Sequence, residues 1–153
     1  MAYSDKGKEP KLIFPALGPF YERIGIFSYP LVRVTVGGVL LTHGWLKLMG
    51  GAQAFATSSM ARRGIEPALF WAYVIIFMET VGALCIMTGL FTRVIAAGLV
   101  IEFAVIMQQQ WPRGYTWSGG GWEYPLLWGL IFLAIALRGG GPYSLDRKLG
   151  KEI

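Results

Sequence analysis

The chain has 153 residues, of which 54% are apolar and 15% charged, with a net charge of +5; soluble domains sit nearer about 45–50% apolar and about 25% charged. So short a chain cannot bury that much apolar surface in a water-facing core, so the composition points to a membrane. The single cysteine, Cys85, excludes a thiol–disulfide exchanger within one chain, and the single histidine, His43, excludes a bis-histidine haem.

The first 28 residues carry mixed charges, and Pro10, Pro15, Pro19 and Pro30 interrupt the approach to the first apolar run. That pattern lacks the apolar stretch of a cleavable signal peptide. It reads as a cytoplasmic leader followed by a segment at the membrane surface, with Phe14, Phe20, Tyr21, Phe27 and Tyr29 at headgroup level; a plain extended lead-in is the alternative. Four apolar runs follow, at about 30–49, 67–90, 92–111 and 122–137. Each approaches the ~20 residues that a ~30 Å hydrocarbon core requires, the last being somewhat short. Between the first two runs, GGAQAFATSSMARRGIEP has room for a short amphipathic helix on the membrane surface. The second and third runs meet at Gly89-Leu90-Phe91-Thr92-Arg93, where glycine suits a helix end and Thr92 an N-cap. A Gly- and aromatic-rich loop, PRGYTWSGGGW, leads to the fourth run, and 138–153 forms a tail.

The expected fold is therefore all-α: an integral membrane four-helix bundle forming a single domain over 1–153. An even number of spans puts both termini on one side, with Lys6, Lys8, Lys11, Arg23, Arg93, Arg138, Arg147, Lys148 and Lys151. The other side keeps Lys47, Arg62, Arg63 and Arg113. The positive-inside rule places both termini in the cytoplasm. Juxtamembrane cations beside anionic lipid account for the net charge, and no nucleic-acid motif competes with that reading.

Polar groups inside such spans are expensive and mark function. On the first helix Arg33, Gly37, His43, Gly44 and Lys47 fall within a sector of roughly 120°, a face expected to turn into the bundle. Arg33 and Lys47 lie near the two boundaries, where they can snorkel. Trp45 and Lys47 also read as interfacial anchors. Glu79 and Glu102 each lie ~15 Å from the Gly89 turn along their helices, so their carboxyls share a depth and can share a proton. His43 sits ~5 Å further toward the other side, and Gln109 shares the face of Glu102 two turns on. The duller alternatives are a packing role for His43, buried structural roles for Glu79 and Glu102, and an Arg33–Glu79 ion pair, which their different depths disfavour. No P-loop, dinucleotide fingerprint or nucleophile elbow is present, and no metal site is expected.

The sequence resembles the DoxX family of small bacterial four-helix membrane proteins from Tyr29 onward. The resemblance is carried by Arg33 with His43-Gly44-Trp45-Leu46-Lys47-Leu48, by Glu79 with Gly82, and by Gly89-Leu90-Phe91-Thr92-Arg93 with Ala96-Ala97. Gly120-Gly121-Trp122-Glu123-Tyr124-Pro125 and the ending Gly139-Gly140-Gly141-Pro142-Tyr143-Ser144-Leu145-Asp146 complete it. It implies a multi-pass protein of the bacterial inner membrane tied to quinone-linked redox systems or to the assembly of redox enzymes. It also marks Arg33, His43, Lys47, Glu79, Arg93, Glu123 and Asp146 as recurring polar positions. Two positions depart from the pattern: Glu102 stands where members often carry an apolar residue, and Gln110 where they often carry histidine.

Three readings follow. In the first, the protein contributes to a quinone-linked respiratory or redox system. His43, Glu79 and Glu102 would handle protons, Lys47, Trp45, Trp71 and Gln109 would form a quinone pocket, and Phe77 and Phe103 would serve as further walls. The chain has no electron-carrier motif, so a partner with a flavin, haem or metal would be needed. In the second, it is a non-catalytic accessory, anchoring or assembly subunit of a membrane redox complex, beside another membrane or membrane-associated redox protein or as a homo-oligomer, with Arg33, Arg93, Glu123 and Asp146 as structural polar groups. The third, a small transporter or proton pathway, fits the polar track but lacks a repeat or a broken-helix pair.

Overall fold

The computed structural model describes residues 11–152; Lys6, Lys8 and Pro10 lie outside them. Its regular structure is helical throughout the described residues. α1 spans Gly18–Gly50. A short irregular helix, α2, covers 52–63 and mixes α, π and 3-10 turns. α3 (Ala68–Thr88) and α4 (Thr92–Gln110) follow, then α5 (Glu123–Arg138) and the short α6 (Leu145–Leu149).

Among the described residues, three helical stretches are long and apolar enough to cross a membrane: Pro15–Gly50, Ala68–Thr88 and Thr92–Arg113. α5, at 16 residues, extends ~24 Å, short of a full ~30 Å core, and packs along α4. α1 begins well before the expected boundary and runs straight through Pro30. Pro19 lies in its first turn, where a missing N–H costs nothing. Pro30 removes only one ladder bond, a loss that membrane helices tolerate. At 33 residues, α1 is ~50 Å long and outruns the hydrocarbon core.

α1 packs against α3, and α4 against α5, around a shared core that includes Leu40, Ile86, Leu99, Phe103, Trp128 and Phe132. Glycines set the α1–α3 approach. A Cβ on Gly37 would strike Met87, and one on Gly44 would strike the backbone of Glu79. Small residues at a helix crossing let backbones touch and maximise packing where lipid supplies no hydrophobic drive.

The end of the bundle that holds the Gly89 turn is closed by the tail. Gly89 takes the left-handed conformation, φ 69°, as the helix-end glycine predicts. Thr92 is not the N-cap of α4. That position falls to Phe91, and the capping acceptor comes from the tail: Asp146 accepts from Phe91 N at 2.7 Å, Thr92 N at 2.9 Å and Thr92 Oγ1 at 2.7 Å. Arg93 donates to the carbonyls of Ala136, Leu137 and Arg138, covering the carbonyls that α5 leaves open at its C-terminus. Glu152 accepts from Gly140 N at 2.6 Å and faces Arg93 Nε at 3.5 Å.

Two expected boundary residues are instead part of this closure. Tyr29 is buried, its hydroxyl donating to Gly139 O, while Phe14, Phe20, Tyr21 and Phe27 stay on the outside of the bundle. Arg33 does not snorkel: it is 1% exposed and donates to the carbonyls of Pro142 and Tyr143, both at 3.3 Å. The folded-back tail offers Arg33 protein carbonyls where the sequence reading had only headgroups. Its guanidinium also lies 5.6 Å from the Tyr29 ring centre.

Candidate functional site

α3 is not a regular helix. Residues Met78–Gly82 form a π turn with Glu79 inside it, a local widening frequent at functional sites. Gly44 brings the α1 backbone directly onto this turn. One helical turn further along α1, on the same face, Lys47 reaches back into the bundle and pairs through Nζ with both carboxylate oxygens of Glu79. The Glu79 side chain is 4% exposed and that of Lys47 25%. Phe55 from α2 lies over the ammonium, its ring centre 5.1 Å from Nζ, a cation–π contact that favours the inward rotamer. Lys47 is thus turned inward rather than anchored at an interface, because a buried carboxylate and an aromatic face await it.

The pair forms one wall of a cavity of about 310 Å³ in the half of the bundle away from the Gly89 turn. Its remaining lining combines Leu40 and His43 of α1, Phe103, Ile106 and Gln110 of α4, Tyr124, Pro125 and Trp128 of α5, and Trp117, Gly120 and Gly121 of the loop. The aromatic side is ordered by stacking: Phe103 and Trp128 lie 5.7 Å apart at 12°. The loop above is held by backbone bonds from Trp122 N to Gly114 O and from Glu123 N to Tyr115 O, and by Glu123, which accepts from Trp117 N at 3.1 Å. A Cβ on Gly121 would collide with the loop backbone, so the tight closure needs glycine there.

Glu102 stands on the other side of Glu79. Its carboxyl lies against that of Glu79, within hydrogen-bonding reach. Both its oxygens are shielded, and no donor among the described residues bonds to them. Its stem lines a second cavity, a groove of about 600 Å³ between α2, α3 and α4 with Trp71, Met78, Gly98, Ile101 and Val105 in its walls. At the groove mouth Arg63 donates to Gln109 Oε1 at 3.1 Å. The two cavities have only Ile106 in common, and Glu79 and Glu102 meet between them.

A protein-family model described as DoxX matches residues 29–109, which takes in α1 from Tyr29, all of α2 and α3, and α4 up to Gln109. The chain belongs to the DoxX family. An uncharacterized membrane protein of Mycobacterium tuberculosis is 33% identical over 134 residues, covering 79% of this chain and 80% of that one. An uncharacterized protein of Haemophilus influenzae is 31% identical over 86% of this chain and 97% of its own length. Inner membrane protein YqjF of Escherichia coli is 28% identical over 86% of this chain and 96% of its own length. No solved structure matches significantly. The apolar spans and these relatives make this a multi-pass membrane protein, and one relative is named for the inner membrane.

In this DoxX protein the expected site residues divide between the two cavities. Lys47, Glu79 and His43 line the first; Trp71, Gln109 and Glu102 line the second. His43 does not point into the core as expected. It lies on the exposed side of α1 at the edge of the first cavity, since its wheel position is at the margin of the polar sector. Trp45 is 55% exposed and lines neither cavity, and Phe77 is 51% exposed, so only Phe103 of the expected aromatic walls shares a cavity with the Lys47–Glu79 pair. Sequence reasoning missed Trp128, Tyr124 and Trp117. Their signal was present as aromatics flanking the Gly120-Gly121 turn, but helix rotation was needed to aim them. Arg33, Arg93, Glu123 and Asp146 all hold structural hydrogen bonds.

Proposed function

We infer that this DoxX protein serves a quinone-linked redox system of the membrane and that the first cavity receives the ring of a lipid quinone. The observation that carries the reading is a charged Lys47–Glu79 pair set opposite stacked Phe103 and Trp128 in a cavity of about 310 Å³. That size lies at the lower end of the ~300–1,000 Å³ typical of small-molecule sites. A quinone ring is flat and apolar on its faces, which suits the aromatic side. Its carbonyl oxygens accept hydrogen bonds, which the Lys47 ammonium and the Tyr124 hydroxyl can donate. Reduction to the quinol takes up two electrons and two protons. The electrons would come from a partner bearing a flavin, haem or metal, since the hard redox chemistry belongs to such groups; Glu79 and His43 are the proton-handling groups at the cavity.

Titration of the purified protein in lipid nanodiscs with a short-chain benzoquinone, followed by tryptophan quenching, tests this. Lys47→Met and Glu79→Gln are each expected to weaken binding about tenfold, the ~1.4 kcal/mol of one charge-assisted hydrogen bond. Mild-detergent extraction should also recover bound quinone and a redox partner. A wild-type protein that neither carries quinone from the membrane nor quenches on titration would refute the reading. Co-purification of a redox enzyme without quinone would favour the accessory-subunit alternative.

A further inference from the structure

The second buried carboxyl has no role in the quinone contacts above, and its surroundings are specific. Glu102 oxygens are shielded from solvent and meet no donor among the described residues. They lie against the Glu79 carboxyl, whose own two oxygens are already engaged by Lys47 Nζ. Two carboxylates offer only lone pairs to each other, so a contact between them is repulsive unless a hydrogen lies between. One proton shared across the contact turns it into an O–H···O⁻ bond, among the strongest hydrogen bonds available to side chains. Of the charged groups near the contact, Lys47 of α1 approaches from the Glu79 side, whereas Arg63 of α2 and Glu66 stand at the groove mouth with Gln109. Lys47 therefore favours leaving the negative charge on Glu79, and the proton belongs on Glu102.

We propose that Glu102 and Glu79 form an acid–carboxylate pair in which Glu102 donates its hydrogen to Glu79 and so holds the proton that replenishes the first cavity. When a ligand in that cavity draws a proton, the O–H bond of Glu102 breaks as an O–H bond forms on Glu79, and Glu79 passes that proton to the ligand and returns to its carboxylate. Glu102 is then a second carboxylate beside Glu79, a state relieved only by reprotonation. It takes that proton from water at the mouth of the groove its stem lines, by rotation of its carboxyl about the side-chain bonds. Glu102 acts through Glu79 and does not itself meet the ligand. The pair stands on its own geometry; only the destination of the proton rests on the quinone reading.

Infrared difference spectroscopy of the full chain in lipid nanodiscs tests the pair directly. At neutral pH the wild type should show the carbonyl stretch of a protonated carboxylic acid, shifting in D₂O. Glu102→Gln should abolish that band, and Glu22→Gln, on the outside of α1, should leave it. Glu79→Gln should move it, because the acceptor becomes an amide. Glu102→Asp, a smaller change if the glutamine variant folds poorly, should shift the band without removing it. Absence of the band in the wild type, its survival in Glu102→Gln, or its indifference to Glu79→Gln would overturn the pair. In the same samples Glu102→Gln should bind the quinone probe within about twofold of wild type, ~0.4 kcal/mol, yet slow reduction of bound quinone by dithionite at least about tenfold. An unchanged reduction rate would overturn the replenishing role, while loss of wild-type quinone binding would remove the quinone reading and leave the band as it was.

Discussion

The Lys47–Glu79 pair makes a quantitative prediction through a double-mutant cycle. Lys47→Met removes the only cation among the described residues that meets Glu79, a carboxylate whose side chain is 4% exposed. Breaking a buried pair from one side costs about 3–5 kcal/mol, because the remaining charge stays buried without a counter-charge. The lower end applies here, since the lysine side chain is 25% exposed and part of its interaction is already screened. Glu79→Gln is milder: the amide still accepts from Lys47, and a freed lysine at that position can reach outward, so the cost is about 1–2 kcal/mol. With both changes, two neutral side chains of similar volume face each other, and the expected cost stays near that of Glu79→Gln alone. The cycle should therefore yield a coupling of about 2–3 kcal/mol, at the upper end for contacting residues. Unfolding by SDS titration from dodecylmaltoside micelles, followed by tryptophan fluorescence, measures it. Single costs that add within about 0.5 kcal/mol would refute the argument that the pair is a buried, mutually dependent unit.

Three further outcomes follow from the closure at the Gly89 end and from charge. Asp146→Ala removes three hydrogen bonds at the start of α4 and should cost about 3–4 kcal/mol in the same assay, against a few tenths for Glu152→Ala on the outer rim; equal effects would refute the capping role. Gly89→Ala must place a Cβ at φ 69° against Arg33 and 2.5 Å from Ser144 Cβ, so a loss of at least about 2 kcal/mol is expected from backbone strain and displaced guanidinium together; a melting curve matching wild type would contradict it. The positive-inside distribution predicts that a C-terminal green fluorescent protein fusion glows and a C-terminal alkaline phosphatase fusion stays inactive, and the reverse pattern would overturn the assigned sidedness.

The apolar runs, the glycine turn and the polar face of α1 were legible because each depends on composition or on helical period within one segment. The run boundaries of α3 and α4 at Thr88 and Thr92 follow directly from Gly89. The start of α1 was not legible. Pro19 and Pro30 look like breaks in a string, yet one sits in a first turn and the other inside a membrane helix that tolerates it. Arg33, Tyr29 and Lys47 were read by distance from a boundary, as if the lipid headgroups were their only polar partners. Their real partners, Pro142 and Tyr143, Gly139, and Glu79, come from other segments. The site suffered in the same way. Helical rise alone sets Glu79 and Glu102 at similar distances from the Gly89 turn, but the π turn around Glu79 breaks the 100° period on which any wheel depends. Helix rotation, which decides that Trp128 faces the pair and Trp45 does not, has no signature in a single sequence.

The long-range cap on α4 also sets an order of events during synthesis. The acceptor for Thr92 N lies 54 residues downstream, beyond α5. At about 5–20 residues per second of translation, α4 spends roughly 3–11 s with its first amides uncapped by their native partner. During that interval the α3–α4 hairpin, with two carboxyls at its centre, exists without the segment that fixes its end. The stretch most open to rescue or degradation by membrane quality control is therefore the middle of the chain, and its commitment to the native bundle is timed by the arrival of Asp146.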